Sequence, residues 1–534
     1  MSWKIIAQAS QTSLLQSIPK RWRLDPHKYK SLKDVTSVPY TCGILTDAQL
    51  KITELTAVEI VRGLEARELK AVEVLEAFAA RAAIAHQLVN CLTDWFFEEG
   101  LQQAEELDDL LDSGGKLKGP LHGVPIAVKD FHFLKGHPTT TGYVSKRNFV
   151  PEHDSALVAT LRAAGAVFFC KTTMPQTGMA LETASNLWGR TLSPFNIDLS
   201  AGGSSGGDAA LVAMRGCPIT PSTDMGGSIR VPAAFNGLYA IRPTADRVPK
   251  GGMDNINSTG QTTIQLSCGP ICHSIGDLEL LTKVINAYPH NKYDVTCAPI
   301  PWRNVDTLNG KLAIGIMKWD GVVMPHPPIL RALGHVKQVL ERAGHQVIEF
   351  DPPFDCWDAS QTTFDTYYQS GAGQTLAAVE ASGEPLLPAV ADLLKVYNTR
   401  ALSTVEALGL NVKTRIFKER FRNAWSETIR STTTSPGIPH NFNIYWGYTS
   451  LFNLLDYPSA ILPIPNFKID AQNDPVNAHY QPLEMNPYDK ANHDLYDPNL
   501  FSNQPSTIQI VGRPFEDEEL IRVASTLDTL LHST

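Results

Sequence analysis

Charge is in short supply in this sequence. Of its 534 residues 19% are charged, 46 basic against 55 acidic, where an average soluble chain carries roughly 25%. The net charge of −9 leaves no basic excess to neutralise phosphates, which argues against a nucleic-acid binder. No run of 18 apolar residues occurs, so no transmembrane helix is expected. Cysteine is sparse, with eight in the chain, and Cys91 and Cys170 sit in apolar runs like small buried hydrophobes. Cys268 and Cys272 stand four apart, but no second pair follows at zinc-site spacing, so no metal is expected. Reduced thiols point to a cytoplasmic location. The N-terminus lacks the long apolar core of a secretory signal. It has no acid before Asp25 yet carries Lys4, Lys20, Arg21 and Arg23, a balance shared with mitochondrial presequences. The simpler reading is a helical arm over residues 1–50, docking through Leu14, Leu15 and Ile18.

What the chain does have is alternation. Thr56 with Glu59 three residues on forms a capping box, with the helical stripe Val58, Ile60, Val61 and Leu64 behind it. A helix over 71–85, a strand over 91–97 and a helix over 98–111 follow. Ile126-Ala127-Val128 reads as a short buried strand ending at Lys129. Asp154 is placed to cap a helix reaching Ala164, and 167–170 is another strand. Later come a strand over 312–316, a helix over 329–343, a strand over 347–350, a strand over 508–511 and a final helix over 516–531. Apolar strands alternating with helices describe an α/β protein: a central mixed, mostly parallel twisted sheet covered by helices on both faces. No repeat and no Pro/Gly/Ser linker divides the chain, so one large domain (1–534) is expected. Residues 466–507 are polar and rich in Asn, Asp and Pro, which suggests a surface insertion.

Two Gly/Ser segments break the pattern. Ala201-Gly202-Gly203-Ser204-Ser205-Gly206-Gly207 leads into a helix, and Ser222-Thr223-Asp224-Met225-Gly226-Gly227-Ser228-Ile229-Arg230 follows soon after. Glycine permits close backbone approach, and serine is a nucleophile or proton carrier. Residues 225–228 could turn successive N–H groups toward one point, as an anionic tetrahedral intermediate requires. The first run also matches the G-x-S-x-G nucleophile elbow, but the elbow needs an apolar strand before it, and Asn196-Ile197-Asp198-Leu199-Ser200 makes a poor one. A phosphate-binding loop fits less well. It lacks the following lysine, and Asp208 would repel an anion. A histidine-based triad is also disfavoured, since His122 and His132 flank the lysine strand but no histidine falls within the motifs.

Together with Gly123-Val124-Pro125-Ile126-Ala127-Val128-Lys129-Asp130, the stretch from Thr223 to Thr244, Gly269-Pro270 and 511–517, these runs resemble the amidase signature family of serine hydrolases. The likeness is closest to fungal acetamidase-type general amidases and spans most of the chain beyond residue 50. It implies a catalytic core over 120–245, with Ser228 as nucleophile, Ser204 as bridging serine in a cis peptide, and Lys129 as base. Met225, Gly226, Gly227 and the Ser228 amide would form the oxyanion hole, with Ser205, Asp224 and Arg230 holding the loops. No cofactor is implied. The substrate would be a small-molecule amide, cleaved through an acyl-serine to acid plus ammonia or amine; a homodimer is a further possibility. The chemistry is coherent, because lysine removes a serine proton only when neutral. Bringing its pKa from about 10.4 to about 7–8 costs roughly 3–5 kcal/mol, which burial could supply.

The match has gaps. Cys217 to Ser222 replaces glycines common in relatives, and Pro221 restricts the backbone before the oxyanion loop. Gly178 and Met179 stand where relatives place bulk one position earlier, which would enlarge the acyl pocket. Between Ala424 and Tyr445, relatives carry an apolar strand that is missing here. Three alternatives therefore accompany the hydrolase: a tailoring amidase of a biosynthetic pathway, a weakened or inactive scaffold, and an amidotransferase subunit.

Overall fold

The computed structural model describes residues 2–254, 261–287, 294, 297–305, 310–425, 445–483 and 486–533. The N-terminal arm opens with helix α1 (Trp3–Ser17). Leu14 and Ile18 are buried as expected, but Leu15 faces solvent. The arm is held to the body by Arg147, whose Nε donates to Ser10 Oγ at 2.7 Å, and by Gln11, which donates to the Leu187 carbonyl.

Helix α2 (Ala57–Glu65) begins with the complete capping box of Thr56 and Glu59. Helix α3 (Ala71–Val89), strand β1 (Leu92–Trp95) and helix α4 (Phe97–Asp112) then alternate, and strand β2 (Pro125–Lys129) follows. Helix α5 (Ala156–Ala163) is capped by Ser155, which accepts from the Val158 N–H. This corrects the assignment of the cap to Asp154. That carboxylate instead accepts from the Lys135 N–H and pairs with Arg162, a tertiary use that local spacing does not show. Beyond strand β3 (Val167–Thr172), residues Asn196–Ser200 do form a strand, paired with Leu192–Ser193 in a two-stranded ribbon outside the main sheet.

Helix α6 (Gly206–Ala213), strand β4 (Ile219–Asp224), helix α7 (Arg230–Phe235), strand β5 (Tyr239–Arg242) and strand β6 (Ser267–Cys272) follow. The remaining framework is helix α8 (Pro327–Arg342), helix α9 (Cys356–Tyr367), helix α10 (Thr404–Ala424), helix α11 (Gly447–Leu455), strands β7 (Ser459–Lys468) and β8 (Pro505–Val511), and helix α12 (Asp517–His532).

Eight strands form the main sheet in the order β1-β3-β2-β4-β6-β5-β7-β8. It is mixed, as expected, but not mostly parallel. Parallel pairing is confined to β3, β2 and β4, and every other neighbouring pair is antiparallel. The reason lies in the strand order. β5 runs in the same sense as β4, and β7 in the same sense as β6, but each such pair is separated in the sheet by one strand of the opposite sense, so no later neighbours are parallel.

The strand period of two places alternate side chains on opposite faces. Along β7, Ala460, Leu462 and Ile464 enter one apolar cluster and Ile461 another. Ile241 and Ala240 divide in the same way on β5. The sheet therefore lies between two cores flanked by helices.

The segment expected as a surface insertion joins β7 to β8 and carries a helix, Pro487–Leu495. It seals itself with Ile469, Tyr496 and Phe501 packed on Leu199. With Met324–Pro327 it encloses a cavity of about 450 Å³, separate from the serine cluster described below. The missing strand expected between Ala424 and Tyr445 falls on 426–444, outside the described residues.

Candidate functional site

Lys129 and Asp224 end the adjacent parallel strands β2 and β4, which are in register through Ile126 and Ile219. In open α/β sheets the carboxyl ends of parallel strands are where ligands gather. The two Gly/Ser segments converge there. The first closes onto the start of α6, where a Cβ on Gly207 would lie 2.4 Å from the Thr173 nitrogen. Only glycine allows the helix to begin this close to the end of β3. The Gly203–Ser204 peptide is cis, as the resemblance implied.

Lys129 Nζ lies 2.8 Å from each of three hydroxyl oxygens, those of Ser204, Ser205 and Thr223. The side chain is fully buried. Burial brings its ammonium down to about 8, against the opposing pull of Asp208 and Asp224. That is a shift of roughly 3 kcal/mol toward the neutral amine, at ~1.36 kcal/mol per pH unit.

Asp208, in the first turn of α6, accepts from Thr172 Oγ1 and Ser222 Oγ. Burial raises it to about 6, with Lys129 the leading opposing influence. Neither Thr223 nor Asp208 was singled out from sequence as part of the site. The available signal was the run of polar residues 220–224 continuing a strand. His132 donates its backbone N–H to the Lys129 carbonyl. Burial, then Lys129 and Lys171, push its imidazole down to about 3, too low for a base at neutral pH.

Ser228 is 6% exposed and Ser204 3%. Both line a cavity of about 30 Å³ together with Phe131, Met174, Met179, Met225 and Leu266. No hydrogen bond joins the Ser204 and Ser228 hydroxyls among the described residues, although the Ser205 N–H donates to the Ser228 carbonyl at 3.2 Å. Gly178, where an enlarged acyl pocket is expected, lines this cavity. Met174 lines it beside Gly178, its Cε lying 3.1 Å from where a Gly178 Cβ would stand.

The loop over 225–229 is pinned by Asp224. Its carboxylate accepts from the N–H groups of Gly227 (2.9 Å) and Ile229 (3.1 Å) and from the Arg230 guanidinium (3.0 Å). Burial pushes this carboxyl up, but the Arg230 charge and hydrogen bonds outweigh it and hold it well below the usual range. Arg230 reaches on to Gln509 of β8 and the Thr449 carbonyl of α11, so the bracing role implied for Asp224 and Arg230 has a physical basis. The Gly227 amide is thereby engaged. Those of Met225, Gly226 and Ser228 have no acceptor among the described residues. Pro221 lies within β4 opposite Pro270 of β6, and the loop after it still forms. The arrangement is a buried amine with a lowered pKa, bonded to hydroxyls, with free backbone N–H groups alongside.

A family model described as Amidase matches residues 73–521. An amidase of Gibberella zeae is 67% identical, the alignment covering 100% of both chains. An acetamidase of Emericella nidulans is 37% identical over 99% of this chain and 98% of its own. Among solved structures, a fatty acid amide hydrolase superposes with a TM-score of 0.94 at 33% identity, covering 99% of this chain and 95% of that one.

Proposed function

Since this chain belongs to the amidase family, we propose that it opens its amide through Ser228 as nucleophile, Ser204 as proton relay and Lys129 as base. The reaction is hydrolysis of a carboxamide C–N bond. The observation that carries the residue assignment is the buried Lys129 amine, brought down to about 8 and 2.8 Å from Ser204.

Neutral Lys129 accepts the Ser204 proton while Ser204 accepts that of Ser228, whose oxygen adds to the carbonyl carbon. The carbonyl π electrons move to oxygen, where the free backbone N–H groups of Met225, Gly226 and Ser228 stabilise the charge. Collapse breaks the C–N bond, and the proton held on Lys129 returns through Ser204 to the leaving nitrogen. Water then adds to the acyl-Ser228 ester by the same route, releasing the acid and restoring the serine. The Ser204–Ser228 hydrogen bond forms as substrate settles, since catalytic hydrogen bonds are often long before binding.

The substrate we propose is a small aliphatic carboxamide. A cavity of about 30 Å³ holds only two or three water-sized groups, at roughly 10–15 Å³ each. The name acetamidase borne by the Emericella nidulans relative agrees with this. Ammonia release from a graded series tests it. kcat/KM should be highest for acetamide or propionamide and fall at least about tenfold by hexanamide, as added methylenes overpack the site. A preference for long acyl chains would contradict it.

We also place the enzyme in the cytoplasm, supported by eight free cysteines, and assign it a homodimeric state. Support for the dimer is the apolar stripe on α10, where Val405, Leu408 and Val412 are 79%, 59% and 61% exposed. Light scattering of the purified chain separates a dimer from a monomer.

A further inference from the structure

We propose that Tyr367, at the end of α9, is a positioning residue that aims the Gly226 amide at the oxyanion. The proposal rests on the reading of Ser228 as nucleophile and adds a residue remote from the catalytic motifs. In a trans peptide the C=O of one residue and the N–H of the next point in opposite directions. The Tyr367 hydroxyl donates to the Met225 carbonyl. Tyr367 does not line the serine cavity, whereas Met225 does. The carbonyl is therefore held toward Tyr367, and the Gly226 N–H on the same peptide plane points the opposite way.

The two planes that follow obey the same rule. Thr449 Oγ1 on α11 donates to the Gly226 carbonyl at 2.7 Å, and the Gly227 N–H, pointing the other way, meets Asp224. The Val231 N–H donates to the Gly227 carbonyl at 2.7 Å, which leaves the Ser228 N–H directed back. Gly226 and Ser228 thus present their amides on alternate planes, each set by a donor holding the carbonyl behind it. Tyr367 is fully buried, and its ring packs edge-on against Phe364, which in turn meets Trp446. Burial also raises its phenol above the usual value, so the hydroxyl remains a donor across the working pH range.

The test uses the full-length enzyme and an alkyl boronic acid, which forms an anionic tetrahedral adduct on a nucleophilic serine. In Tyr367→Phe the ring is kept and the donor lost. Removing an oxyanion donor outright costs about 10²–10³ in kcat, and freeing one to wander should cost less. We expect kcat to fall about 10–100-fold, KM to change less than about twofold, and boronate affinity to fall in step with kcat.

A wild-type measurement keeps the proposal testable should that variant not fold. Met225–Gly226 is the one Met–Gly step in the sequence. Carbonyl-¹³C methionine with ¹⁵N glycine therefore isolates the Gly226 amide as a single resonance, which should move downfield when the boronate binds. An unmoved resonance overturns the proposal, as does a folded Tyr367→Phe enzyme with unchanged kcat and boronate affinity. A loss confined to KM also overturns it. Activity surviving in Ser228→Ala would instead overturn the nucleophile assignment, so the two failures are distinct.

Discussion

In the proposed mechanism the chemistry turns on Lys129, and its neighbours set when it works. Only its neutral form accepts a proton, so kcat/KM for a small amide should rise with pH and level off above about 8. At that pH Asp208, raised to about 6, is ionised, and its negative charge favours the protonated lysine. Removing that charge therefore lowers the lysine pKa, and Asp208→Asn should move the rising limb to lower pH. A pH profile of kcat/KM reads this directly; a limb that stays in place or moves up counts against the assignment. Lys129→Ala should lose about 10²–10⁴ in rate, the usual worth of a general base, and its residual activity should no longer climb through pH 8.

Among the elements, the loop between β4 and α7 depends on partners that arrive from far along the chain. Arg230 and Asp224 are both fully buried, so Arg230→Met strands a carboxylate away from water. The expected cost is about 3–5 kcal/mol of folding stability, the usual result of removing one member of a buried pair, read as a lower denaturation midpoint. Gly227 sits at φ 131°, and a Cβ there would lie 2.4 Å from Thr449 Oγ1. Gly227→Ala should therefore displace the loop and cut kcat at least about tenfold, while α11 stays folded by far-ultraviolet circular dichroism.

The sequence made much of this legible. The glycine and serine runs, the strand ending in Lys129 and the capping box at Thr56 are local patterns, and local patterns survive in a linear reading. Tyr367 and Thr449 lie 142 and 223 residues from the loop carbonyls they hold, and no periodicity relates such positions. Asp154 shows the same limit in reverse: it looks like a cap by position, yet tertiary partners claim it.

For the whole molecule, the sheet explains why the proposed catalytic residues gather at one end of the structure. β2 and β4 run parallel and finish together, which brings a lysine from one and a Gly/Ser loop from the other to a common point. Their antiparallel neighbours extend the sheet and bury it between two apolar layers, so the lysine loses water and holds its proton less tightly. The fold class followed from the alternation of strands and helices, but the balance of parallel and antiparallel pairs did not. Strand direction depends on connections that composition does not encode, and Leu15, apolar in sequence yet exposed in the arm, fails for the same non-local reason.

The most direct test treats the pure enzyme with a fluorophosphonate and maps the adduct by mass spectrometry across pH. One adduct per chain is expected, on Ser228, still on Ser228 in Ser205→Ala, absent in Ser228→Ala, and formed faster as pH rises through about 8. Labelling of a different residue, or a rate flat from pH 5 to 9, would contradict a serine activated by a buried neutral lysine.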